Sequence, residues 1–128
     1  MSKTRKFTVT IDTDTNGDGV GYTHWVSGFV ESIQYVKASS GNYSDGVDFA
    51  VTLDTTGEAV WTGTNVNAST VVRPRAVTHS TAGADLLYAS EGEEVLDRIA
   101  LGRDRVKIVV SSGGSAKTGT FVVTIADR

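Results

Sequence analysis

The chain has 128 residues, twelve Lys and Arg against fifteen Asp and Glu, a net charge of −3, and no cysteine. That length holds one domain with its own core, and the absence of cysteine excludes a disulfide framework or a thiolate metal site. The small net charge excludes the strongly basic footprint of a nucleic-acid or anionic-membrane binder.

Fourteen glycines and one proline, with many Thr, Ser and Val, favour strands and tight turns over helices. No stretch reaches the ~20 apolar residues of a membrane helix. The opening MSKTRKFTVTI has basic residues but no apolar segment, so no secretory signal is expected, which suits synthesis in a reducing cytoplasm. Residues 1–6 carry Lys3, Arg5 and Lys6 and are expected as a flexible arm, with one domain over residues 7–128.

Phe7, Val9 and Ile11 alternate with Thr8, Thr10 and Asp12, which predicts a strand. Asp12, Asp14, Asn16 and Asp18 then resemble the start of a calcium loop, where alternate oxygens converge on one ion. Thr23 or Trp25 stands where the bidentate Glu should be, and the flanks read as strands. A loop between strands is therefore expected, with a cation site at those four residues as the alternative. Tyr22–Lys37 is a long apolar-rich segment, either with a bulge or a change of sheet at Gly28 or as a strand buried on both faces.

Val47, Phe49, Val51 and Leu53 alternate with polar positions, Thr55-Thr56-Gly57 supplies a turn, and Ala59-Val60-Trp61 opens a second run. This is a β-hairpin, the unit around which the rest is organised, and it needs neighbours because two strands alone are marginal in water. Pro74 lacks an N–H, so the segment around it belongs at a sheet edge or outside the sheet. Arg73 and Arg75 beside it are either solvated edge charges or donors to a partner carboxylate.

Ala84–Ala89 reads as a short helix, with Gly92 beyond its end. Val95–Leu101 leans towards a strand, with Gly102-Arg103-Asp104 as a turn. Arg105–Asp127 reads as a hairpin whose flexible tip is Ser111–Thr118.

No catalytic motif is present. His24 and His79 lack the spacing of a zinc pair and are expected to be structural or exposed. Glu91, Glu93 and Glu94 read as a solvated charge run. There is no nucleophile elbow and no phosphate-cradling glycine loop after a strand. Neither an enzyme nor a cofactor is expected. Aromatics such as Trp25 and Trp61 read first as packing residues, with sugar stacking as the alternative.

DGVDF and WTGTNVN within and just beyond Asp45–Thr64, the segment RIALGRDRVKIVV at 98–110, and the GG…KTGTF pattern of 113–125 carry a resemblance. They resemble small structural proteins of tailed bacteriophages, most nearly the capsid decoration or cement proteins. That resemblance implies an all-β single domain, a β-sandwich or jelly roll of about eight strands. It implies a non-enzymatic protein made in the host cytoplasm and mounted on the virion, binding the outer surface of the major capsid protein lattice as a dimer or trimer. On that basis Trp61, Arg73 and Arg75 are expected as interface anchors, with Lys3 and Arg5 as a docking arm. Related small β proteins at head–tail junctions and in tails, and a carbohydrate-binding β-sandwich, are the alternatives.

Overall fold

The computed structural model describes residues 3–127. Strand β1 (Thr4–Asp12) pairs antiparallel with β11 (Thr118–Ala126), and β11 pairs with β3 (Val26–Lys37). The far edge of β3 carries β6 (Thr70–Val72) and β9 (Ile99–Asp104). The second sheet runs β2 (Gly19–Tyr22), β10 (Val106–Ser111), β4 (Asp48–Leu53), β5 (Ala59–Gly63). A small ladder joins β7 (Ala76–Val77) to β8 (Leu96–Asp97).

The chain therefore visits the sheets alternately. β1, β3, β6/β9 and β11 lie in one, while β2, β4–β5 and β10 lie in the other. With spatial orders β1-β11-β3-β6/β9 and β2-β10-β4-β5, this is the jelly-roll arrangement of an all-β sandwich. The described residues form eleven strands, more than the eight expected, because one strand position is split between β6 and β9 and the split segment adds β7 and β8.

Each main strand puts one parity into the core. Val9 and Ile11, Ile33 and Tyr35, Phe121, Val123 and Ile125 come from the first sheet, and Phe49, Val51, Leu53, Val106, Ile108 and Val110 from the second. Burying these side chains is the main stabilising term. At one end the core is aromatic. Phe49 stands edge-on to Phe121 and Tyr35, with centroids 4.8 Å away in both cases, and Tyr43 lies 6.0 Å from Tyr35. The buried Tyr43 hydroxyl donates to the Ile11 carbonyl at 2.6 Å, and burial drives its pKa far upward. Gly119 lies against the Tyr43 ring, and a Cβ there would collide with it.

Several expectations are corrected. There is no helix among the described residues, and Ala84–Ala89 instead joins a bridged excursion. Its exposed leucines bury no face that would stabilise an isolated helical turn. The segments 105–111 and 118–126 are both strands, but not a hairpin. β10 pairs with β2 and β4, β11 with β1 and β3, and residues 111–118 cross between sheets. The crossing is pinned. Gly113 N–H donates to the Gly17 carbonyl at 2.9 Å, Ser44 N–H to Gly113 at 2.9 Å, and Thr13 N–H to Lys117 at 2.8 Å.

Gly28 does mark a bulge, where the β3–β9 register shifts, but β3 stays in its sheet. The strand β9 runs on through Gly102-Arg103-Asp104, where a turn was expected. The hairpin β4–β5 forms as expected. The ladder of β1 begins at Thr4, so Thr4–Lys6 are strand rather than arm. Residues 1–2 lie outside the described residues.

Candidate interaction surface

Charged chemistry inside the sandwich is sparse. Asp104 is buried at the β9–β10 corner. Desolvation opposes its charge, yet backbone N–H groups of Thr55 at 2.9 Å and Arg105 at 2.8 Å, with further bonds from Thr55 and Thr56, outweigh that and hold its pKa below the usual carboxylate value. Asp104 thus ties the β4–β5 turn to the corner. A depressed folded pKa means this stability is present above the unfolded value of about 3.9 and is lost as pH falls through the folded one. Asp104→Asn is expected to cost about 1–3 kcal/mol at neutral pH, the cost of a weakened buried acceptor. Urea titrations across pH should show that difference narrowing below about pH 4.

Beside that corner, Arg105 donates to Asp54 at 2.8 Å and lies over the rings of Tyr22 (4.0 Å) and Trp25 (4.7 Å). Trp25 is 51 % exposed. The guanidinium covers one face of each ring, so these rings are already in cation–π use.

Asp12 ends β1, and Asp14, Asn16 and Asp18 follow in a turn capped by Asp14. Asp14 Oδ1 accepts from the backbone N–H of Asn16 at 2.8 Å and of Asp18 at 3.0 Å. Among the described residues no group of three His, Cys, Asp or Glu is placed to hold a metal ion. Asp14 in this loop thus serves the backbone, as Asx turns do. His24 lies 6.0 Å from the Phe7 ring, and His79 Nε2 lies 3.3 Å from Asp85 Oδ1.

The anchors expected from sequence do not form one patch. Trp61 is half-buried on β5, its ring 5.8 Å from Phe49, and packs on the core. Arg75 is half-buried and spends its guanidinium on the Pro74 carbonyl at 2.7 Å and, more weakly, the Glu31 carbonyl at 3.4 Å. Lys3 and Arg5 are exposed, and Arg5 Nε is 4.0 Å from Asp127. Arg73 is exposed on the outer face of the first sheet, in a shallow groove with Lys6, Gln34, Val71, Val122 and Thr124.

The surface that sequence reasoning missed lies between β6 and β9. The two strands lie end to end along β3: Val72 is opposite Ile33 and Ile99 opposite Val30. The chain between them leaves the sheet edge and returns to almost the same point. It builds an arm that is hydrogen-bonded within itself. Thr78 N–H donates to Val95, Leu86 to Thr78 and Val95 to Leu86, each at 2.9 Å, and Tyr88 to Glu93 at 3.0 Å. Bridges join His79 to Asp85 and Leu87 to Glu94.

Every residue from His79 to Glu94 is nevertheless exposed. Leu86 and Leu87 are exposed, Leu96 is 55 % exposed and Tyr88 76 %. The signal available in the sequence was a Leu-Leu-Tyr run amid polar residues at 79–94, a stretch without a single Lys or Arg.

No protein-family model matches the chain, and no curated protein matches it. Among solved structures it is similar to one described as the crystal structure of FLHE. The identity is 10 %, the TM-score 0.44, and the match covers 98 % of this chain and 97 % of that one. At that level the likeness carries no argument.

Proposed function

We propose that this protein is a non-enzymatic virion structural protein that binds the outer surface of a phage major capsid protein lattice and stabilises the head. The observation that supports an assembly role is the arm. Ordering a segment costs about 1–2 kcal/mol per residue in backbone entropy, and this one buries no core of its own in return. It presents large apolar side chains on a hydrogen-bonded frame, which is the pattern of a surface waiting for a protein partner. The phage assignment is supported by the sequence resemblance at 45–64, 98–110 and 113–125.

In this reading each copy bridges neighbouring capsid subunits, so outward pressure must break several contacts together. A contact of ordinary size buries on the order of 1,600 Å² in total, with aromatic anchors carrying much of the energy. Tyr88 fits that role better than Trp61, which packs on its own core. The test is sedimentation of purified protein with emptied, undecorated capsids. Saturable co-sedimentation, weakened at least about tenfold by Tyr88→Ser, is the expected result. Protein that stays in the supernatant overturns the proposal, and rings or tubes under negative stain would favour a connector or tail component.

A carbohydrate-binding role has Trp25 and Tyr22 as its one supporting observation. Arg105 already occupies a face of both rings, which weakens it.

A further inference from the structure

The charges of this chain are segregated. Five of its fifteen carboxylates, Asp85, Glu91, Glu93, Glu94 and Asp97, lie in residues 79–97, and none of its twelve Lys and Arg does. The rest of the sequence therefore holds twelve basic residues against ten acidic ones and is net positive. The acidic segment is the arm, and the arm also carries the exposed Leu86, Leu87, Tyr88 and Leu96.

The complementary surface is the groove on the outer face of the first sheet. Its rim carries Lys6 on β1 and Arg73 just after β6. Neither cation has an ion-pair partner among the described residues. The carboxylate in the groove, Glu31, is engaged by Arg98 at 3.3 Å. Apolar surface comes from Val71, 48 % exposed, and Val122, and the polar remainder is Thr4, Ser32, Gln34 and Thr124. Apolar surface flanked by unpaired cations is what an apolar, acidic projection requires of a receptor.

We infer that the arm of one copy docks in this groove of a second copy, with the carboxylates around Tyr88 meeting Lys6 and Arg73. The inference rests on the assembly role proposed above and uses the same arm, so it describes copies free of a capsid, where the arm has no lattice to meet. The two surfaces differ, so the contact is head-to-tail. Such a contact closes into a ring if the rotation allows and otherwise extends as a chain. An arm of nineteen residues is close to the 20–30 residues per side of a standard interface. Opposite charge at the rim makes association fall with added salt.

Sedimentation velocity from micromolar to near-millimolar protein tests this, with two variants and their mixture. The arm variant is Leu86→Ser with Tyr88→Ser, and the groove variant is Lys6→Glu with Arg73→Glu. All four side chains are exposed, so both variants should keep the wild-type melting curve. The wild type is expected to self-associate, more weakly at high salt, and each variant alone to lose at least about tenfold in affinity. Mixing the variants leaves one intact arm and one intact groove per pair and should restore a complex that stops at two copies. A wild type that stays monomeric throughout overturns the inference. So does assembly that survives the groove variant, which would point to an arm-to-arm contact. Capsid co-sedimentation separates the two ideas: a wild type that binds capsids yet stays monomeric in solution removes this contact and leaves the decoration role standing.

Discussion

Phe121→Ala is expected to destabilise the fold by about 3–5 kcal/mol. Phe121 is fully buried in the aromatic end of the core, between the two sheets. Its ring lies 4.8 Å from Phe49 of the opposite sheet and 5.3 Å from Tyr35 of its own. Truncation removes the ring's transfer free energy and leaves a cavity whose walls are laddered strands, which relax little. For a chain of this length the melting temperature should fall by roughly 10–20 °C. Phe121→Leu keeps most of the volume and should cost about 1–2 kcal/mol. Calorimetry of both variants is the check, and an alanine loss no larger than the leucine loss would mean that the ring does not bridge the sheets.

Gly28→Ala should follow at about 3 kcal/mol, combining an unfavourable backbone angle with a collision. Gly28 has a φ of 146°, a region that side chains rarely adopt. A Cβ there would be driven into the carbonyl oxygen of Ala126 on β11. The bulge cannot relax freely, because β3 is laddered to β11 on one side and to β9 on the other. Gly41 is the control: its φ is also positive, but its surroundings are open, so Ala there should cost only about 1 kcal/mol. Denaturant titrations should rank the pair in that order, and hydrogen exchange should show β9 opening first in the Gly28 variant.

Much of the sandwich was legible from alternation alone. Phe7 to Ile11, Val47 to Leu53, Val106 to Val110 and Phe121 to Ile125 each place one parity inward, and all four segments are strands apart from Val47, which just precedes β4. Period-2 patterning fixes which side chains face the core, but not which strand lies alongside. That is why Arg105–Asp127 reads as a hairpin although its two strands belong to opposite sheets. The β4–β5 hairpin was legible because its turn is short and local.

The arm left no such trace. Its short segments are held by backbone hydrogen bonds and bury nothing, so no hydrophobic period marks them. Residue type alone marks Trp61 and Arg75 as anchors, and residue type cannot tell an interface tryptophan from one packed on its own core. Arg73 is marked the same way and lies exposed in the groove.

The end-to-end placement of β6 and β9 has a practical side. Val72 and Ile99 sit opposite positions only three apart on β3, a gap of about 10 Å. The jelly roll closes around that gap whatever the intervening chain does beyond it. A foreign epitope spliced at the tip, near Glu91 and Gly92, would be held clear of the scaffold with both of its ends anchored at neighbouring points. The same site lets evolution lengthen, shorten or recode the projection without refolding the sandwich beneath it.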